Sequence, residues 1–119
     1  MTLIQRSNDY IMSGYINKAQ YTALLLMVAG HLRYKVGKFV HFVQNLHVYD
    51  RHFNAVDEIL TRPIKHIQPK IELKEQRNFY DYTVDDFIII DNIGQKLESK
   101  LELAIWFLGF RINFLPYLY

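Results

Sequence analysis

Arg6, Ser7 and Asp9 fall within one short polar cluster near the start of the chain, and His47 and Tyr49 stand two apart at its middle. A guanidinium is a planar fork of donors that suits phosphate or carboxylate, and an adjacent serine hydroxyl adds another donor. The same cluster also reads as a loop with a local Arg6–Asp9 pair, a contact worth little at a surface. Stock catalytic signatures are missing: the sequence has no glycine-rich phosphate loop, no HExxH and no GxSxG. Ser7, His47 and Asp9 can be written as a triad, but any chain of this size allows such a triple. His47 and His52 are five apart without a third ligand at a metal spacing, so no metal is expected. The 119 residues contain no cysteine, which excludes disulfides, zinc–thiolate sites and cysteine nucleophiles for this chain alone.

These side chains need elements to position them. Residues 39–49 read as one strand, since β-branched and aromatic types dominate and nothing breaks it. Alternation puts Val40, Phe42, Gln44, Leu46 and Val48 on one face, mostly apolar and expected to be packed. The other face carries Phe39, His41, Val43, Asn45, His47 and Tyr49, and ends as a row of hydrogen-bonding groups. That row suits the lining of a ligand cleft; it equally suits a half-exposed strand whose polar face meets water. Asn17 reads as a helix N-cap with Gln20 in capping-box spacing, or as an amide offered to a ligand. The helix should run from residue 18 to about 33, apolar nearly all round through 23–29 and so buried on most sides.

Gly37 punctuates before the strand. Residues 53–61 show helical spacing, with Phe53, Val56, Ile59 and Leu60 on one face, and Arg62-Pro63 ends that helix. Residues 2–9 open as a short strand, 70–74 and 87–91 read as further strands, and 97–105 alternate as a last one. The class is α+β, with helices packed on a sheet.

Half the residues are hydrophobic and 15% are aromatic, which fits one folded domain. A formal charge of +2 announces no nucleic-acid partner. The N-terminus has no signal-peptide pattern and the longest apolar run is too short to span a bilayer, so a cytoplasmic protein without membrane contact is expected. Residues 106–119 form an aromatic, apolar extension with almost no charge, a sticky surface if exposed.

Gln5-Arg6-Ser7-Asn8-Asp9, Asn17, the long apolar helix, Gly37, His47-Val48-Tyr49 and Arg62-Pro63 together resemble thymidylate synthase in order and in spacing. Asp85-Asp86-Phe87 and Leu103-Ala104-Ile105 are similar to that family's closing segments. The resemblance covers residues 1–105 as a thymidylate-synthase-like C-terminal segment, and leaves 106–119 as an extension. It implies a partial α+β fold, with helices on a mixed or antiparallel sheet. It further implies a dUMP-like nucleotide as ligand, methylenetetrahydrofolate as cofactor without a metal, and a homodimer or association with an N-terminal half. By position, Arg6 and Ser7 correspond to binders of the 5′-phosphate, and Asp9 to the aspartate that contacts folate and orders the pyrimidine site. Asn17 corresponds to the reader of the uracil edge, and His47 with Tyr49 to the pair that holds the ribose hydroxyl.

Three departures accompany the resemblance. The family's reaction adds a cysteine thiolate to C6 of uracil, and the segment that would carry it is expected upstream of Met1. Val43-Gln44-Asn45 stands where the family usually has Gly-Gly-Asp. The family chain ends near Ile105, whereas fourteen residues follow it here. The expectation is a methyltransferase-type nucleotide binder, inactive alone, with a non-catalytic interaction module as the alternative.

Overall fold

The computed structural model describes residues 1–63, 68–91 and 95–102. Strand β1 (Thr2–Asp9) leads through a π-helical turn (Tyr10–Gly14) into helix α1 (Tyr15–His31). Strand β2 (Val40–His47) is followed by a 3-10 turn (Asp50–His52) and helix α2 (Phe53–Thr61). Strands β3 (Lys70–Leu73) and β4 (Phe87–Ile90) complete the regular elements, with 3-10 turns at Phe79–Asp81 and Val84–Asp86 between them. The α+β class holds. The sheet is two separate pairs among the described residues: β1 with β2 in parallel, and β3 with β4 antiparallel.

Parallel pairing fixes where the polar groups meet. Thr2 lies opposite Val40, Ser7 opposite Asn45 and Asp9 opposite His47. The C-terminal ends of both strands therefore reach the same edge. The N-terminal ammonium donates to the Lys38 carbonyl at 2.8 Å and the Val40 amide to the Met1 carbonyl at 2.9 Å, which locks the register at the opposite end. A slip of one residue would turn every side chain to the other face.

Helix α1 starts earlier than the cap reading of Asn17 allows. Asn17 sits inside the first turn of α1, which the π-helical turn feeds without a break. The Asp9 carboxylate caps that turn, accepting from the Met12 amide at 3.3 Å. Asn17 is thus relieved of capping, and its amide makes no hydrogen bond with the described residues. Arg33 adopts the left-handed region at φ 55°, its amide bonds the Gly30 carbonyl, and the Tyr34 amide bonds the Ala29 carbonyl at 2.8 Å. That is the Schellman pattern of closing a helix, with arginine where glycine would cost less.

Burial differs from the pattern expected of α1. Only Leu26, Ala29 and Gly30 of this apolar helix are buried, against β3 and the Phe79–Asp81 turn. Gly30 is required there: a Cβ would collide with the Tyr82 hydroxyl and press on Leu73. That hydroxyl accepts from the Arg77 amide at 2.9 Å, and the His31 imidazole accepts from the Phe79 amide at 3.3 Å. The face of β2 expected to be packed is exposed, with Phe42 at 64% and its β1 neighbour Ile4 at 74%. No described residue covers it, while the opposite face is half-buried by its own polar contacts.

Residues 95–102 contain no strand, against the alternation that suggested one over 97–105; 103–105 and the 106–119 extension lie outside the described residues. Side chains of α2 hold this segment instead. Glu58 accepts from the Glu98 amide at 2.9 Å, the Ser99 amide at 2.9 Å and the Ser99 hydroxyl at 2.7 Å. Arg62, ion-paired with Glu58 one turn earlier, donates to the Gln95 carbonyl at 3.0 Å and the Lys96 carbonyl at 2.7 Å. The Glu98 and Ser99 donors, with Arg62 beside them, hold the Glu58 carboxyl down at about 2.

Candidate functional site

The C-terminal ends of β1 and β2 bring Ser7, Asp9, His47 and Tyr49 together with one further residue, His52. Ser7 Oγ and His47 Nδ1 are 3.5 Å apart, and Asn45 Nδ2 donates to Ser7 Oγ at 3.4 Å. His47 Nδ1 also reaches the Asn45 carbonyl at 3.4 Å. A carbonyl only accepts, so in the tautomer that makes this contact the proton sits on Nδ1 and Nε2 is the acceptor. Ser7 Oγ then accepts from its neighbours and keeps its own proton to give. The Tyr49 ring stands edge-on to His47, with centroids 5.2 Å apart, and its hydroxyl makes no hydrogen bond with the described residues. The strand ends thus present a donor at Ser7, an acceptor at His47 and a two-way group at Tyr49, all unclaimed. Ligands of sheets with parallel strands bind beyond such carboxyl ends.

The floor beneath is better satisfied. Asn8 is buried and donates to Gln5 Oε1 at 3.0 Å, which also accepts from His41 Nε2 at 2.8 Å. Gln5 Nε2 turns back to the Ser7 carbonyl at 3.0 Å, and Ser13 Oγ donates to the Asp9 carbonyl at 3.0 Å. Asn8 is thus part of the frame that holds Ser7 and Asp9 still.

His52 was singled out in the sequence only for its spacing from His47. The 3-10 turn folds it back beneath Tyr49, where its side chain is fully buried. Its Nε2–H donates to the Glu102 carbonyl at 2.8 Å, and its Nδ1 faces Asp9 Oδ2 at 3.9 Å. The signal that could have found it is weak: a histidine at the start of a helix, three residues after a strand-end tyrosine.

Arg6 and Asn17 stand apart from this group. Strand alternation carries Arg6 to the face opposite Ser7, where it is exposed and pairs with no described residue. Asn17 is half-buried in α1. Both groups are uncommitted, and neither touches the Ser7–His47 contact. The two carboxyls whose acidity clearly departs from normal, Glu58 and Asp86, lie away from the strand ends. The Thr83 amide, donating to Asp86 at 2.8 Å, holds that carboxyl below its usual range, with the Thr83 hydroxyl and Arg77 adding to the effect.

Comparison with known proteins gives this geometry its setting. The thymidylate synthase family model matches residues 1–104. The chain is 42% identical over 106 residues to thymidylate synthases of Streptococcus suis and Streptococcus thermophilus, covering 87% of this chain. Its fold superposes on thermostable thymidylate synthase A from Bacillus subtilis with a TM-score of 0.71 and 30% identity, over 82% of this chain and 36% of that one. The chain belongs to the thymidylate synthase family. It spans 38% and 37% of the length of the two streptococcal relatives, so it represents a part of the family's fold. Among the described residues, no helix is long and apolar enough to cross a membrane.

Proposed function

We propose that these residues form the nucleotide-binding portion of a thymidylate-synthase-type enzyme and take a dUMP-like ligand at the ends of β1 and β2. The observation that carries this reading is the convergence of Ser7, Asp9, His47 and Tyr49 on one edge, with polar groups their neighbours leave unclaimed. Ser7 gives its proton to the 5′-phosphate; Arg6 starts on the opposite face of β1 and adds a charge-assisted fork only by reaching round the strand end to that phosphate. His47 and Tyr49 hold the ribose hydroxyl between an acceptor and a two-way group. The Asn17 amide complements the O4 and N3–H of uracil. An aspartate at that position would favour cytosine.

Methylenetetrahydrofolate, when bound, supplies the one-carbon unit and the electrons that reduce it to methyl. Asp9 fits a place beside it: one carboxylate oxygen caps the Met12 amide, while the side chain remains partly exposed. The nucleophile does not come from this sequence. Without a thiolate adding at C6, the uracil C5 is not activated towards the one-carbon unit. The chain alone therefore binds, and dTMP forms only when a cysteine-bearing half completes it.

The test is ligand protection followed by complementation. dUMP should raise the melting temperature of the purified chain in proportion to the logarithm of its concentration. Turnover should stay at background until a cysteine-bearing N-terminal half of a relative is added. No protection by dUMP at millimolar concentration, or dTMP made by the chain alone, would overturn this reading.

One observation favours a second role, as an interaction module. Ile4, Val40 and Phe42 expose an apolar patch on the β1–β2 pair, with Leu46 further along the same face beyond Arg6 and Gln44. A second copy of the chain or the completing half would cover it. If dUMP has no effect while Phe42→Asp changes the oligomeric state, the module reading prevails.

A further inference from the structure

His52 is the one described side chain whose buried polar atom lacks a hydrogen-bond partner: Nδ1 has none among the described residues. Its setting is specific. The residue is 1% exposed, and its Nε2–H is committed to the Glu102 carbonyl at 2.8 Å. Nδ1 is therefore the only polar atom the ring can offer elsewhere, and it faces Asp9 Oδ2 at 3.9 Å. The edge of Tyr49 flanks the ring, with centroids 6.2 Å apart. Leaving such an atom unpaired in a buried site is costly. The gap to the carboxylate is about 1 Å longer than a charge-assisted hydrogen bond.

We infer that His52 is a positioning residue for Asp9 and ties the cleft carboxylate to the backbone of residues 95–102. One imidazole spans two parts of the chain that share no other contact described above. On one side is the end of β1, where Asp9 also caps the turn into α1. On the other is the segment that Glu58 and Arg62 hold against α2. Closing the Nδ1–Oδ2 gap takes a second ring proton, on Nδ1, donated to the carboxylate; that bond sets the Asp9 carboxylate. It can do so only while the segment keeps Nε2 engaged and the ring fixed. Docking of 95–102 and the geometry of the cleft are then one event. The consequence for ligand binding rests on the nucleotide reading above; the coupling itself does not.

The test compares Asp9→Asn and His52→Gln in the full chain. Asp9→Asn keeps an oxygen to cap Met12 and removes the charge facing Nδ1. It should move the His52 Nδ1 resonance in 15N spectra and speed hydrogen exchange at the Glu98 and Ser99 amides roughly two- to thirtyfold. Asp9 makes no direct contact with those amides, so a purely structural His52 would leave their exchange untouched. Unchanged exchange and an unchanged Nδ1 resonance in Asp9→Asn overturn the inference, whatever dUMP does. His52→Gln retains a donor for the Glu102 carbonyl but offers Asp9 nothing. It should reduce the dUMP-induced rise in melting temperature at unchanged secondary structure, and full protection in this variant would count against the coupling to the cleft. If the wild-type chain shows no dUMP protection, the nucleotide reading fails and the exchange experiment still decides the coupling. If His52→Gln does not fold, Asp9→Asn alone decides it.

Discussion

At the α2 end of the molecule, Glu58 and Arg62 meet residues 95–102 through bonds of 2.7–3.0 Å, and both Glu58 oxygens and both terminal Arg62 nitrogens have partners there. At the strand ends, Ser7, Asn45 and His47 stand 3.4–3.5 Å apart and Asp9 looks at His52 across 3.9 Å. Hydrogen bonds weaken steeply at such lengths and angles. The first region is satisfied by its own sequence. The second is built of the same kinds of group and left open. A chain that can close one network tightly does not leave another loose for lack of suitable residues. On the nucleotide reading proposed above, the loose one is where the ligand's polar groups enter.

The comparison breaks most sharply at Arg6. Because it pairs with no described residue, Arg6→Ala should leave the stability of the free protein within about 0.5 kcal/mol of wild type. The same change should weaken dUMP binding by roughly ten- to a hundredfold, the scale of a lost hydrogen bond to a charged group. Calorimetric titration with dUMP checks both halves. A fall in stability with unchanged affinity would make Arg6 part of the frame.

Gly30→Ala probes the side that is already packed. The new methyl meets the Tyr82 hydroxyl, which is pinned to Arg77. Chemical denaturation should show a loss of about 1–3 kcal/mol, partly offset by alanine's better helix propensity. Nucleotide affinity should not change, since Gly30 lies on the α1 face turned to β3.

Acid separates the two networks by titration. The folded Glu58 carboxyl is held at about 2, below its unfolded value near 4.5. Its contribution to stability is therefore fully present above the unfolded value and is lost as pH falls through the folded one. The Glu98 and Ser99 amide resonances should lose their hydrogen-bonded shifts with a midpoint near 2, and Glu58→Gln should remove that transition. A midpoint near 4.5 would mean that the carboxylate does not hold the segment. The smallest effect is expected of Tyr49→Phe. It deletes one neutral hydroxyl that no described residue uses, and should weaken dUMP binding by at most about tenfold.

Sequence reasoning reached furthest where local chemistry decides structure. Both long strands, the second helix with its Arg62-Pro63 end, and the strands at Lys70 and Phe87 follow from alternation, periodicity and proline sterics. The resemblance named the family from a handful of motif residues, and the comparisons bear that out. What alternation could not tell was which face of β2 is covered. The even-numbered face is apolar, but no described residue covers it. Asn17 misled for a related reason: a polar residue before an apolar run is a cap only if nothing helical precedes it, and here a π-helical turn does. The alternation through 97–102 carried no strand because its backbone groups found partners on α2 side chains instead of a neighbouring strand. His52 was illegible because its importance lies in contacts across forty-three and fifty residues of chain, to Asp9 and Glu102.

Parallel pairing has one practical corollary. To start β2 beside the beginning of β1, the polypeptide must return from the far end of α1, and it does so over residues 32–38, all of them at the surface. At Gly37 nothing lies within 4 Å of where a Cβ would be. In a sequence with no thiol of its own, Gly37→Cys would create a single labelling handle. A fluorophore attached there could report on assembly with another chain while leaving the strand ends as they are.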